Sequence, residues 1–257
     1  MSSSFVRGSL ALHAAALPAL AAFPSRWEWV AGTLVANHAA IVSASLAPRS
    51  ALLGANLTRD DAAARAGAIA LTFDDGPDPE VTPRVLDLLD AAGASASFFC
   101  IGERVDRAPS LAREIGRRGH RLENHTHSHS ASFYFHSPAT LEREILLCQR
   151  AIADATGRAP VLFRAPAGVR SPLLQPALER AGLTLCSWTR RAFDTVRRDP
   201  AAICAALTRG LQPGDVLVLH DGAAHDRPGR AGVLLDALPR LLEAISARGL
   251  AIVPVSR

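Results

Sequence analysis

The order of apolar and polar positions divides the chain near residue 60. From Gly8 to Pro24 nearly every position is apolar, with His13 as the exception; from Trp27 to Ala47 only Glu28 and His38 are ionisable. Pro24-Ser25-Arg26 joins the two runs as a turn. The second run is long enough to span the roughly 30 Å hydrocarbon core of a bilayer, and the first is marginal. Trp27 and Trp29 sit where interfacial aromatics lie. A signal peptide with a small-residue cleavage site near Ala19-Leu20-Ala21 would leave the second run unexplained. A soluble helical pair is the third reading, and length favours a transmembrane hairpin.

After a polar stretch from Thr58 to Gly67 a regular alternation begins. Strand-like runs are Ala68–Phe73, Ser95–Ile101, Arg121–Asn124, Val161–Arg164, Leu183–Trp188, Val216–His220 and Ala251–Val255. Helix-like segments fall between them: Thr82–Ala92, Pro109–Arg118, Pro138–Ala155, Pro172–Ala181, Pro200–Leu211 and Gly232–Arg248. Proline stands near the start of several, as suits a first helical turn. Gly93, Gly119, Gly157, Gly182 and Gly249 follow others as closing residues. Such alternation predicts parallel βα units, in a barrel or in an open doubly wound sheet. The expected organisation is an apolar helical segment over residues 1–60 and one catalytic domain over 61–257.

Composition changes this picture little. The 257 residues are 49% hydrophobic, enough for a sizeable core. All 28 basic residues are arginine, a bias that points to the source rather than to a binding device. They are scattered, and the net charge of +4 is mild, so nucleic acid is not an expected partner, and no protein partner is predicted either. Cys100, Cys148, Cys186 and Cys204 lack CxxC spacing and read as buried free thiols. Arg7 precedes the first apolar run, only Arg26 lies between the two, and Arg49, Arg59 and Arg65 follow the second. That bias places both ends of a hairpin in the cytoplasm, at a bacterial inner membrane.

The chemistry-bearing residues gather at one end of the predicted strands. Asp74-Asp75-Gly76-Pro77 follows the first strand and His125-Thr126-His127-Ser128-His129 the third. Arg164 to Gly168 follow the fourth strand, Trp188 to Asp194 the fifth and His220 the sixth. Carboxyl ends of strands are the face on which a parallel α/β barrel assembles its site. Of two adjacent carboxylates, one can bind a metal while the other takes a proton from water. His125 and His129, four apart, would face the same way on one helical turn. With one carboxylate they make a two-histidine site for zinc, iron(II) or another divalent ion. A His125-x-His127 pair on a strand could also chelate, as in an amidohydrolase-like barrel.

Together these motifs resemble the polysaccharide deacetylase family, whose catalytic unit is the NodB homology domain of the family 4 carbohydrate esterases. The resemblance spans about residues 68–256. Thr72-Phe73-Asp74-Asp75-Gly76-Pro77 resembles the first family motif, which implies Asp74 as base and Asp75 as metal ligand. His125-Thr126-His127-Ser128-His129 resembles the second, with the outer histidines as ligands. Arg164-Ala165-Pro166-Ala167-Gly168 is similar to the third, and Leu217-Val218-Leu219-His220 to the fifth. The family implies a distorted (β/α)7 barrel and metal-dependent removal of an N- or O-acyl group from sugars. Zinc is the expected ion, with cobalt, nickel, manganese or iron as compatible substitutes.

Two departures stand out. Ala167 occupies a place where the family usually has an aromatic, although its backbone N–H remains available to an oxyanion. The Asp-Trp pair of the fourth motif is absent from Ser187-Trp188-Thr189-Arg190-Arg191-Ala192-Phe193-Asp194. Asp194 is therefore the candidate partner of the acid His220, and Trp188 or Phe193 the candidate acyl wall. Arg164 is expected to support Asp74. The expected function is deacylation, with acetyl as the expected group, of amino sugars in a polysaccharide or glycoconjugate by a membrane-associated enzyme. A deformylase or deacetylase of a lipid-linked or small sugar, and a non-catalytic sugar-binding barrel, are the alternatives.

Overall fold

Strand β1 (Ala68–Asp74) is buried at every position, on both of its faces, which fits a near-continuous apolar run at the centre of a parallel sheet. In the computed structural model, which describes residues 3–222 and 230–256, it pairs with three other strands. The others are β2 (Ser97–Cys100), β3 (Arg121–Asn124), β4 (Leu162–Phe163), β5 (Thr184–Leu185), β6 (Arg190–Arg191), β7 (Val216–His220) and β8 (Ala251–Val253). Their order is β5-β4-β3-β2-β1-β7-β6, every pairing is parallel, and β8 joins the lower half of β1. The sheet is a curled, distorted (β/α)7-type barrel. The seven predicted strands are all present: β3 and β7 have the predicted bounds, β1 extends one residue further to Asp74, and the other four are shorter. Strand β6 was not foreseen, because two arginines carry no apolar signal.

Helix α3 (Asp61–Arg65) precedes β1, and between strands lie α4 (Thr82–Ala91), α5 (Gly102–Arg107), α6 (Pro109–Arg117), α7 (Pro138–Thr156), α8 (Leu174–Arg180), α9 (Pro200–Thr208) and α10 (Arg230–Ser246). Short α3 and α5 escaped the sequence pattern. The main core packs Leu71 and Phe73 of β1 against Val85 and Leu89 of α4, Leu238 and Leu241 of α10 and Leu207 of α9. The gap between β5 and β7 is crossed by residues 57–60. Leu57 bridges Cys186, Arg59 bridges Asp215, and the Asp60 N–H donates to the Gly214 carbonyl. Asp60 also caps α3 and accepts from the N–H and hydroxyl of Ser256 near the chain end.

Helices α1 (Ser4–Ala22) and α2 (Trp27–Leu46) form an antiparallel hairpin, long and apolar enough by composition and length to cross a membrane. Of the apolar windows only 17% and 11% is buried. Part of their polarity is paired between them. Asn37 Nδ2 donates to Ser9 Oγ at 2.8 Å, and the rings of His13 and His38 meet edge to face at 5.0 Å. His13 and His38 each turn Nδ1 onto a carbonyl one helical turn back, Ser9 and Leu34. Phe5, Val6, Ala44 and Leu53 form a small cluster at the open end, opposite the Pro24–Arg26 turn. There Arg170 clamps the hairpin to the domain. Its N–H donates to Ser45 O, and its buried guanidinium donates to Ser50 O at 2.5 Å and Gly54 O at 3.3 Å. Burial holds Arg170 down at about 10, so removing its partners would be expensive.

Replacing Arg170 by methionine should lower stability by about 2–3 kcal/mol through loss of its charged hydrogen bonds. Limited proteolysis within residues 47–56 should accelerate relative to the parent protein. Unchanged cleavage rates would show that the clamp does not hold the hairpin.

Candidate active site

Register sets the first pair of groups side by side: Asp74, the last residue of β1, is aligned with His220, the last of β7. The chain then turns sharply, with Asp75 in the left-handed region at φ 74°. A fully buried carboxylate, Asp221, backs this turn. It accepts from Thr82 Oγ1 at 2.5 Å, and its own N–H donates to Asp74 O. A Cβ at Gly76 would lie 2.3 Å from Asp221 Oδ2, so only glycine fits against it. Asp78 completes the brace by accepting from the N–H groups of Glu80 and Val81.

The histidine segment after β3 is a loop, which corrects the expectation of a helical turn. Thr126 and His129 adopt φ of 66° and 50°, and the folds they make replace the helix. Side chains stabilise them: Asn124 Oδ1 accepts the Thr126 N–H, Thr126 Oγ1 accepts the His129 N–H, and Glu144 accepts both the N–H and the hydroxyl of Ser128. The loop brings His125 Nε2 and His129 Nε2 each to 3.3 Å from Asp75 Oδ1. Among the described residues these three make a cluster whose ligand atoms lie within 4.8 Å of one another. His127 is outside it, with its ring against Gly102, where a Cβ would come within 2.5 Å of Nδ1.

The cluster suits a divalent metal by its own chemistry. His125 Nδ1–H donates to the Arg164 carbonyl at 2.9 Å, which leaves the Nε2 lone pair free for an ion. Burial and the neighbouring His125 lower the basicity of His129, favouring the neutral ligand form. Burial opposes ionisation of Asp75, yet the hydrogen bond and charge of His125, with His220 and His129, hold it well below the usual carboxylate range. Two imidazoles and one carboxylate are a donor set for zinc or a related first-row ion.

Arg164 is fully buried behind the site. Its Nη1 donates to Asp74 Oδ1 at 2.5 Å and Thr72 Oγ1 at 2.8 Å; Nε and Nη2 donate to the Cys186 and Ser187 carbonyls. Phe99 covers the guanidinium face at 3.9 Å. On the other side, Asp194 accepts from both His220 Nδ1, at 2.9 Å, and the His220 N–H, at 2.8 Å. Burial alone would lower His220, but the charge and hydrogen bond of Asp194, aided by Asp74 and Asp75, raise it to about 9. Ala167, at φ 54°, and Gly168 close a cavity of about 280 Å³ that also touches Asp74, Asp75, His125, His129, Trp188, Val218 and His220.

Trp188 is buried in that wall, whereas Phe193 is not, which corrects its nomination as acyl wall. Phe193 has φ 56°; this reversal sends Asp194 inward to His220 and leaves Phe193 half exposed, 4.9 Å from the Arg191 guanidinium. Arg191 and Thr195 line the cavity and were not anticipated. Only their proximity to Trp188 and Asp194 in sequence could have raised them. Asp221 was also missed, although it directly follows His220; burial pushes it up to about 7.

Known proteins with this arrangement point one way. Residues 61–186 match the model of a family described as polysaccharide deacetylase. A peptidoglycan-N-acetylglucosamine deacetylase of Bacillus cereus is 37% identical over 175 residues, covering 67% of this chain and 81% of the relative. A chitooligosaccharide deacetylase of Bradyrhizobium sp. is 34% identical over 198 residues, 73% of this chain and 89% of the relative. The structure of a family 4 carbohydrate esterase from Streptomyces lividans in complex with acetate superposes with a TM-score of 0.65 at 32% identity, covering 72% of this chain and 91% of that one.

The geometry separates the three histidines. His125→Ala and His129→Ala should lose bound zinc in elemental analysis of purified protein, and His127→Ala should keep it at the parental ratio. Zinc loss from His127→Ala with retention in His129→Ala would mean that the His-x-His pair is the chelate.

Proposed function

Because the chain belongs to the polysaccharide deacetylase family, a family of hydrolases of carbon–nitrogen bonds other than peptide bonds, we propose that it removes an N-acetyl group from an amino sugar by metal-dependent hydrolysis. The observation that supports this best is the division of labour among five side chains around one cavity. Asp75, His125 and His129 converge, Asp74 stands apart on Arg164, and His220 stands opposite on Asp194. The relatives named above, deacetylases of peptidoglycan and chitooligosaccharides, support an N-acetylglucosamine unit.

A divalent metal, with zinc favoured, would be held by Asp75, His125 and His129, and would supply Lewis acidity toward water and the acyl carbonyl. Asp74 serves as base. Arg164 engages its Oδ1 and fixes the carboxylate, leaving Oδ2 to accept the proton of the attacking water. The Ala167 N–H stabilises the oxyanion that develops on the acyl oxygen, a contribution of about 3 kcal/mol for a well-placed donor. Trp188 and Val218 bound a space for a small acyl group. His220, with Nδ1 committed to Asp194, protonates the departing amine from Nε2. The hairpin of α1 and α2 is proposed to hold the domain at a membrane. Its apolar residues face largely outward, Asn37 donates to Ser9 between the helices, and His13 and His38 each engage a backbone carbonyl, which limits unpaired polarity as a lipid-exposed helix pair requires.

The test is acetate release from N-acetylglucosamine oligomers by the zinc-loaded full chain, followed from pH 6 to about 10. His220 must carry its proton to act, so kcat/KM should fall as pH rises through about 9. In Asp194→Asn the charge and charged hydrogen bond of Asp194 are lost, leaving only Asp74 and Asp75 to oppose burial, so the alkaline limb should move to lower pH. An alkaline limb that stays in place would remove His220 from the acid role. No release of acetate from any oligomer by zinc-loaded protein would overturn the proposed activity.

A further inference from the structure

A second cavity lies against the first. It is a cleft of about 630 Å³, within the range of about 300–1,000 Å³ typical of ligand sites. Its walls are Val42 and Leu46 at the end of α2, the Phe133–Phe135 turn, and Pro166 and Val169. Two residues line both cavities, His129 and Ala167. Apart from His129 at the edge of the metal cluster and the hydroxyls of Ser45, Ser130 and Tyr134, the lining is apolar, and it contains no acid or arginine. Val42, Leu46 and Phe135 are exposed in it, Phe135 at 83%. A surface of this kind is better matched by hydrocarbon than by the hydroxyl groups of a sugar polymer.

The position of the cleft says what could fill it. Helix α2 has 20 residues, about 30 Å at 1.5 Å per residue, which matches the hydrocarbon thickness of a bilayer. Trp27 and Trp29 mark its far end, and Val42 to Leu46 its end at the catalytic domain. If the hairpin spans, the cleft therefore opens at the level where a lipid headgroup meets its chains. The small Ala167 side chain leaves the passage from cleft to metal cluster bounded by a methyl and an imidazole. Trp188, Val218 and His220 line the reaction cavity but not the cleft, so a group arriving from α2 enters on the sugar side and not the acyl side.

We propose that the cleft between α2 and the Phe133–Phe135 turn holds the hydrocarbon tail of a membrane glycolipid whose N-acetylated amino sugar is presented to Asp75, His125 and His129. This rests on the deacetylase reading and names its substrate class: a lipid-linked amino sugar. The tail makes no covalent change. It adds apolar burial that places the headgroup at the reaction cavity.

The experiment uses the zinc-loaded full chain in lipid nanodiscs and alkyl N-acetylglucosaminides with methyl, octyl and dodecyl aglycones. The expected kcat/KM ratio of dodecyl to methyl glycoside is about tenfold or more, since each buried methylene contributes appreciably. Partitioning into the bilayer would raise this ratio too, so Phe135→Glu and Val42→Glu decide. The ratio should collapse in both if the cleft holds the tail, and an undiminished ratio in both overturns the proposal. Occupancy is read separately from turnover, by photolabelling Asp74→Asn protein with a diazirine-tipped dodecyl glycoside and sequencing the modified peptides. Label on residues 42–46 and 133–135 is expected; label confined to the rest of the hairpin overturns the proposal. Labelling of the cleft with no hydrolysis of any glycoside would support the tail site and sink the deacetylase reading. Preferential labelling by an N-lauroyl glucosamine probe would put the chain on the acyl side and refute the assignment.

Discussion

One buried cation organises this molecule. The Arg164 guanidinium has no exposure to water and would be strongly destabilising without partners for its donors. It has them: Thr72 and Asp74 on β1, and the Cys186 and Ser187 carbonyls beyond β5, with Phe99 of β2 across its face. Its own carbonyl accepts from His125, so the same residue aims an imidazole at Asp75. The strands that it ties together are the ones that carry the candidate base and the candidate ligands. A curled sheet of two- to five-residue strands outside β1 has few backbone bonds to fix their ends. Arg164 and its partners supply that fixation from inside.

On each side, a second acid is braced from behind. Asp221 fills the space under Gly76 and shapes the turn that turns Asp75 away from Asp74. Asp194 does the same for His220, holding both its ring and its N–H. Adjacent residues in sequence thus acquire separate tasks through left-handed turns at Asp75, Thr126, His129, Ala167 and Phe193. Backbone strain at so many residues other than glycine persists only where the surroundings impose it, and here Asp75, His129 and Ala167 line one cavity while Thr126 and Phe193 each adjoin a residue of the site in sequence.

Much of this was legible before the fold was known. The change from two long apolar runs to alternating short ones located the hairpin and the βα units, because burial on both faces of β1 leaves a continuous apolar signature. Strand ends gathered Asp74, His125, Arg164 and His220 on one face, since a parallel barrel has only one such face. What failed was local conformation. Spacing alone suggested a helical turn from His125 to His129, and nothing in spacing reveals that Asn124, Thr126 and Glu144 would stabilise a loop instead. Phe193 looked like a wall residue by type, but its backbone reversal sends Asp194 inward in its place. Arg191 and Asp221 were hidden because their placement depends on contacts from distant strands. The same holds for the apolar cleft, whose two walls lie about ninety residues apart in sequence, at Val42 and Phe133.

The central claim is that the adjacent aspartates divide the chemistry, with Asp75 holding the ion and Asp74 taking the proton. Asp74→Asn keeps the shape and one acceptor for Arg164 while removing the base. Zinc content and acetate release should be measured on the same preparation of the full chain. Parental zinc content with turnover reduced by at least about a hundredfold is the predicted result. Parental zinc content with parental kcat would contradict the assignment.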